Sequence, residues 1–300
     1  NSVLFDEIID YARQVSADVI LATDPDCDRL GVAAPLTSDT SGPWGTINGN
    51  QIGALLADFA CRRFQQLGKL TDRSYVIKTL VTSELVRRAA AAYNVRCEGN
   101  LHVGFKWIAG VMDAVGPDDF VFGTEESHGY LIGQYARDKD GAVACLLMAQ
   151  LVAELKAEGK SLHQRLDELL VQHGCHQETL VNVQMEGSEG MTLMRKLMEA
   201  FRSSPPESLG GIRVAQVRDY KALTVRKLDG SILALDAPPA DMVMLDLELE
   251  GNYFAVRPSG TEPKVKFYMF TYLPPDESQD LPAAKLKLDA RLKSLEQDIR

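Results

Sequence analysis

Two rhythms of apolar and polar positions run along this chain. Val3, Leu4, Ile8, Ile9, Ala12 and Val15 recur at helical spacing, and short apolar runs at 19–22 and 30–35 follow as candidate buried strands. Residues 37–45 are polar and marked by Gly and Pro, which predicts a connection and a first boundary. Helix and strand patterns then alternate. A helix over 51–67 is stopped by Gly68, a strand covers 75–80, and a helix opens at Ser83, whose hydroxyl can cap exposed amides. A helix over 106–115, a strand over 120–122 and long helices over 142–158 and 161–173, separated by Gly159, complete the stretch. This alternation predicts α/β architecture with mixed sheets and flanking helices.

From about residue 176 the period shortens to two. Runs at 179–185, 211–217, 242–249, 253–256 and 265–272 predict strands, with helices over 190–202 and from about Pro282 onward. Strands grouped with flanking helices predict a C-terminal α+β domain with a largely antiparallel sheet. The resulting division is 1–45, 46–174 and 175–300. Leu286, Leu288, Leu292 and Leu295 predict that the terminal helix packs as a lid. The chain opens on a helix feeding a strand, without the earlier strand of an α/β unit and without an initiator methionine, so a fragment of something longer is expected.

Composition narrows the function classes. A formal net charge of −10 argues against a general nucleic-acid binder, which needs a basic face to displace counterions. No apolar run approaches the roughly 20 residues that span a bilayer, so no membrane partner and a cytoplasmic location are expected. Cys27, Cys61, Cys97, Cys145 and Cys175 are odd in number, scattered and without a C-x-x-C pair, which points to reduced thiols rather than a disulfide framework or structural zinc. His173-Gly174-Cys175-His176 looks superficially metallic but follows a helix pattern, and reads as a helix end with Gly174 past the last turn.

The densest chemistry lies in Asp24-Pro25-Asp26-Cys27-Asp28-Arg29. In an extended loop, side chains two apart point the same way, so Asp24, Asp26 and Asp28 would converge. Unpaired carboxylates so placed would repel, and all-oxygen ligation favours Mg²⁺, Mn²⁺ or Ca²⁺ as the compensating ion. Arg29 adds a charge suited to a phosphate. An EF-hand would need Gly at the sixth position and Glu at the twelfth, where Arg29 and Pro35 stand. A D-x-D-x-T phosphatase loop is weakened by Asp28. A solvated acidic turn is the plainer alternative.

Two further loops carry chemistry. In Gly123-Thr124-Glu125-Glu126-Ser127-His128-Gly129, a carboxylate and a hydroxyl suit the vicinal hydroxyls of a sugar, with an ordinary acidic turn as the plainer alternative, and His128 is a general acid or base, or else a solvent-facing or structurally bonded ring. In Arg257-Pro258-Ser259-Gly260-Thr261-Glu262-Pro263-Lys264, a guanidinium fork, two hydroxyls and a glycine suit a phosphate cradle, with Lys266 on the same strand face as Lys264. A plain hairpin turn is the alternative for the second loop.

Taken in order, these motifs resemble the α-D-phosphohexomutase superfamily, in particular the phosphoglucomutase/phosphomannomutase family. The marks are D-x-D-x-D-R at 24–29, G-F-K at 104–106, E-E-S-x-G at 125–129, R-D-K-D at 137–140 and R-P-S-G-T-E-P-K at 257–264. The resemblance implies a four-domain enzyme of which this chain supplies the tail of the second domain, the third and the fourth. It implies phosphoryl transfer between the C1 and C6 oxygens of glucose and/or mannose through a phosphoserine, with Mg²⁺ as cofactor. Hexose phosphate, hexose bisphosphate and the N-terminal domains of the same full-length chain would be partners. By similarity Asp24, Asp26 and Asp28 hold Mg²⁺ and Arg29 faces the transferring phosphoryl group. Glu125 and Ser127 read sugar hydroxyls, and Arg257, Ser259, Gly260 and Thr261 hold the other phosphate. Lys106 supports the sugar end, and Lys139 is a candidate proton donor or acceptor.

Two departures stand out. Val103 occupies a position that is threonine in many relatives, and no T-A-S-H-N-P-like nucleophile segment is present. Three readings result: a mutase fragment inactive in isolation, a metal-dependent sugar phosphatase, and a non-catalytic sugar-phosphate-binding protein.

Overall fold

In the computed structural model, which describes residues 5–260 and 262–299, the chain divides into two compact units, 1–173 and 174–300. Val3 and Leu4 of the first helical pattern, and Thr261 of the expected phosphate cradle, lie outside the described residues. No helix among the described residues is long and apolar enough to cross a membrane.

The first unit begins with α1 (Asp6–Gln14) and a meander of β1 (Ile20–Thr23), β2 (Leu30–Pro35) and β3 (Trp44–Ile47), each pair antiparallel. Trp44 and Gly45 belong to β3, so the polar segment expected to run to residue 45 ends at Pro43. Next come α2 (Gly49–Gln66), β4 (Tyr75–Lys78), α3 (Leu85–Ala91), β5 (Arg96–Glu98), α4 (Phe105–Val115), β6 (Phe120–Glu125), β7 (Gly129–Leu131), α5 (Gly141–Ala157) and α6 (Leu162–His173). β4 pairs parallel with β5 and β6, while β6 turns back antiparallel into β7, giving a mixed sheet in the order β5-β4-β6-β7. All four residues of β4 are buried, as expected for a central strand covered on both faces. Tyr75 and Ile77 pack with Phe105, Ile108, Met112, Phe120 and Leu131. On α2, a Cβ added to Gly53 would lie 2.7 Å from the Thr124 hydroxyl, so helix and strand approach to a distance only glycine allows.

β4 ends in a fully buried lysine. Lys78 Nζ meets Glu84 Oε1 at 2.6 Å and donates to the carbonyls of Thr79 and Thr82 at 3.1 and 3.0 Å. An ammonium without these partners would be costly inside a sheet. The second glutamate oxygen accepts Arg87 Nε at 2.7 Å. Ser83 Oγ accepts the Leu85 amide at 3.4 Å, and the helix begins at Leu85, two residues after the predicted start.

The second unit holds β8 (Cys175–Gln184), α7 (Gly187–Ser203), β9 (Ser208–Leu209), β10 (Ile212–Asp219), β11 (Thr224–Lys227), β12 (Ile232–Ala234), β13 (Val243–Leu247), β14 (Tyr253–Pro258), β15 (Lys264–Leu273) and α8 (Leu281–Gln297). Its sheet runs β12-β11-β10-β13-β14-β15-β8, with β9 on β10, and every pair is antiparallel. Alternation puts Val243, Leu245, Phe254, Val256, Val265, Phe267 and Met269 on one face, against Met198 of α7 and Leu295 of α8. Leu288 and Leu295 are fully buried and Leu292 is partly so, but Leu286 is 70% exposed and does not join the packing expected of it. Gly174 follows α6 with φ +93°, the conformation of a helix stop. β5, β7, β9, β11 and β12 are too short or too exposed to register as strand patterns.

Burial raises the Glu84 carboxyl, but the charges of Lys78 and Arg87 outweigh it and hold its pKa down at about 2. The stabilisation is therefore present above the ordinary glutamate pKa and lost as pH falls toward about 2. Glu84→Gln leaves the Lys78 charge buried without its counter-ion, and urea unfolding at pH 7 is expected to show a loss of about 3 kcal/mol. The difference from the parent should shrink below pH 4.

Candidate functional site

The acidic loop between β1 and β2 is not extended. It turns at Pro25 and Asp26, Cys27 takes φ +57°, and the Cys27 amide donates to the Asp24 carbonyl at 2.9 Å. The carboxylates of Asp24, Asp26 and Asp28 converge nevertheless, each offering an oxygen within 4.8 Å of the others. The turn, rather than strand alternation, brings them together.

Asp24 Oδ1 accepts the main-chain amides of Asp28 and Arg29 at 3.2 and 3.1 Å, while Oδ2 accepts Arg29 Nε at 2.6 Å. Desolvation alone would raise the Asp24 pKa, but these bonds and the guanidinium charge bring it below the ordinary aspartate value. Asp28 Oδ2 meets Lys139 Nζ at 2.7 Å, and Asp138 lies 3.4 Å from the same ammonium. Burial would lower the Lys139 pKa, yet both carboxylates raise it, so its side chain, 22% exposed, is a held cation. Asp26 is exposed and makes no ion pair among the described residues. Two carboxylates thus have cationic partners and the third faces outward, a donor set that fits a hard divalent ion.

Three loops of the first unit interlock around this cluster. Arg29 forms an antiparallel bridge with Gly129 of β7. The Leu30 amide donates to the His128 carbonyl at 3.1 Å, and the His128 ring Nδ1 lies 2.9 Å from the Leu30 carbonyl. A carbonyl only accepts, so Nδ1 carries the proton and Nε2 the lone pair. Burial is the largest influence on His128 and lowers its pKa, which keeps the ring neutral at pH 7. The ring's Nδ1 is thus committed to Leu30. From the other side, the Gly141 amide opening α5 donates to the Cys27 carbonyl at 2.9 Å, and a Cβ there would sit 2.8 Å from that oxygen and 2.9 Å from the Arg29 carbonyl.

Glu125, 3% exposed, ends β6, and its Oε1 accepts the Gly104 amide at 2.7 Å. That bond joins the sugar-type loop to G-F-K. Ser127 is exposed, and Lys106 is exposed with Nζ 5.3 Å from the Trp107 ring centre. The structure therefore groups Asp24, Asp26, Asp28, Arg29, Lys139 and His128, and ties Glu125 to the loop that carries Lys106. Gly141 and Gly104 complete the bracing, and neither is visible in apolar periodicity. The signal for Gly141 is its place directly after Asp140, whose side chain caps α5 by accepting the Val143 amide at 3.0 Å.

In the second unit, Arg257 at the end of β14 pairs with Lys266 of β15, so both project from one sheet face, with Lys264 two residues away on the same side. The turn between them is closed by the Ser259 amide donating to the Lys264 carbonyl at 2.8 Å. Lys264 Nζ is paired with Glu262 at 2.8 Å. Arg257 Nε is buried without a hydrogen-bond partner among the described residues, and Gly260 is exposed with open space where a Cβ would project. The loop is a hairpin turn that also presents a guanidinium donor in want of an acceptor.

Comparison with known proteins points to the family that the motifs resemble. Residues 48–173 match the model of phosphoglucomutase/phosphomannomutase, alpha/beta/alpha domain III. Phosphoglucomutase of Staphylococcus aureus (strain MRSA252) is 37% identical over 267 residues, covering 88% of this chain and 47% of the relative. The chain spans about half the length of the curated relatives it matches. Among solved structures, pp63/parafusin (phosphoglucomutase) from Paramecium in its open form superposes with a TM-score of 0.59 at 16% identity, over 92% of this chain and 45% of that one. A phosphoglucomutase/phosphomannomutase family protein from Burkholderia thailandensis superposes with a TM-score of 0.56 at 16% identity, over 98% and 50%. These two likenesses concern the fold. The matched domain and the relatives' identity across both units make this chain similar to phosphoglucomutase/phosphomannomutase proteins.

Proposed function

We propose that this chain is the part of a phosphohexomutase that holds the catalytic cation, reads the sugar and grips the phosphate not being transferred. Joined to domains that carry a phosphoserine, it interconverts hexose 1-phosphate and hexose 6-phosphate, of glucose and/or mannose, through a bisphosphorylated intermediate. Residues 1–45 are then the tail of a second domain, 46–174 the third and 175–300 the fourth. The observation that carries the reading is the convergence of Asp24, Asp26 and Asp28 beside Arg29 and Lys139.

Phosphoryl transfer asks for charge neutralisation and in-line positioning more than for covalent machinery. Mg²⁺ held by Asp24, Asp26 and Asp28 would neutralise charge on the transferring group. Arg29, released from Asp24 as an anion arrives, turns its fork to phosphate oxygens. Lys139 is a cation while Asp28 is its partner, so it can donate a proton to a leaving oxygen. Ser127 and the Glu125 carboxylate read sugar hydroxyls, and Lys106 supports the sugar end. Arg257, Ser259, Gly260 and Thr261 hold the second phosphate, with Lys264 and Lys266 adding charge. Five unpaired thiols suit a reducing compartment, so we place the reaction in the cytoplasm.

The function is tested by turnover. The 300 residues alone are expected not to interconvert glucose 1-phosphate and glucose 6-phosphate, whereas the chain joined to phosphoserine-bearing domains should. Release of inorganic phosphate without isomerisation would favour a phosphatase instead, and tight hexose-phosphate binding with neither activity in the joined protein would favour a binding protein.

For the cation, calorimetric titration with Mn²⁺ should show one site on the parent and none on Asp26→Ala. Equal binding by the variant would remove the assignment of the acidic loop.

For the second phosphate, Arg257→Ala removes a charge-assisted pair worth about 1.5–3 kcal/mol, so affinity for glucose 6-phosphate should fall about ten- to hundredfold. Arg257→Lys should recover only part of it, because an ammonium lacks the two-pronged contact. Unchanged binding by Arg257→Ala would reduce the loop to a hairpin turn.

A further inference from the structure

The reciprocal bonds between His128 and Leu30 join two loops that the proposed function uses separately. His128 sits in the turn from β6 to β7 with φ +70°, one residue after Ser127 and three after Glu125. Leu30, buried at 0% exposure, opens β2 directly after Arg29. His128 accepts from the Leu30 amide with its carbonyl and donates from its ring to the Leu30 carbonyl, at 3.1 and 2.9 Å. The adjacent Arg29–Gly129 bridge extends the contact by one register. Two short segments nearly a hundred residues apart in sequence are thus stitched like neighbouring strands, and the histidine ring supplies a stitch that no main chain could.

The stitch bears on Arg29. Its main-chain position is fixed on one side by the Asp24 carboxylate accepting its amide at 3.1 Å, and on the other by the bridge to Gly129. Any movement of the acidic turn that draws Asp24 and Asp28 toward a cation therefore pulls on Leu30, and through it on the turn that carries Glu125 and Ser127. Lys139 lies against the same place, since a Cβ on Gly129 would come within 2.8 Å of its Cδ.

We propose that His128 is a positioning residue that couples order in the acidic turn to order in the sugar-type turn, so that cation binding prepares the sugar-reading side chains. This rests on the proposed cation site and adds to it a role for a ring whose Nδ1 is bonded to Leu30. Its Nδ1–H is the working group.

Asparagine places an amide N–H where histidine has Nδ1 and tolerates positive φ, whereas glycine tolerates the backbone and removes the donor. Hydrogen exchange with and without Mg²⁺, read by mass spectrometry on the 300-residue chain, distinguishes the possibilities. In the parent, Mg²⁺ should slow exchange in 24–30 and in 125–131 together. His128→Asn should retain both effects, with Mg²⁺ affinity within about twofold of the parent. His128→Gly should keep slowing only in 24–30, with affinity reduced about three- to tenfold by loss of one bond. Slowing confined to 24–30 in the parent, or coupling undiminished in His128→Gly, or coupling lost in His128→Asn, overturns the proposal while leaving the cation site standing. No Mg²⁺ effect in either segment of the parent removes both.

Discussion

Three carboxylates whose oxygens lie within 4.8 Å of one another repel, and the first unit sets opposing charge beside two of them. Arg29 comes from the loop itself. Lys139 comes from far along the chain, delivered by the turn that opens α5. Anchoring that turn requires the Gly141 amide to reach the Cys27 carbonyl, which in turn requires a residue without a side chain. The same constraint explains why the acidic turn is stitched to β7 on its other side. A turn holding concentrated negative charge would otherwise open into solvent.

The second unit solves a different problem. The loop at 257–264, proposed to hold a phosphate, has little buried charge to balance, and its donors come from strand ends and a tight hairpin. Arg257 and Lys266 share a face because antiparallel pairing sets them opposite one another. Their positions are fixed by the register of β14 and β15, whose inward residues pack under α7 and α8. A rigid sheet edge gives this loop its aim, while the acidic turn depends on hydrogen bonds from three loops.

Much of this was legible in the sequence. The α/β and α+β halves followed from the change of period near residue 176, and the acidic turn from three aspartates at alternate positions. The reason offered for their convergence was wrong, because side-chain alternation presumes an extended backbone and Cys27 takes a left-handed one. Short strands such as β5 and β7 carry too few residues for a period to show. The buried Lys78–Glu84 pair was missed because a lysine at a strand end reads as solvent-exposed, and only tertiary placement shows otherwise. Residue type alone left His128 open between an acid or base and a bonded or solvent-facing ring. Its bond to Leu30 depends on the acidic turn and the β6–β7 hairpin meeting in space, and no local pattern encodes that.

The pairing of β8 with β15 has a consequence for synthesis. Cys175 lies opposite Leu273, so the first strand of the second unit finds its neighbour only after roughly a hundred further residues have been added. At translation rates of about 5–20 residues per second, β8 waits on the order of 5–20 s with its ladder groups unpaired. Its alternation of half-buried and exposed positions, with polar residues such as Gln177, Glu178, Asn182 and Gln184 interleaved, limits the sticky surface it offers in that interval. The strand that closes the sheet last is thus one the growing chain can leave uncovered.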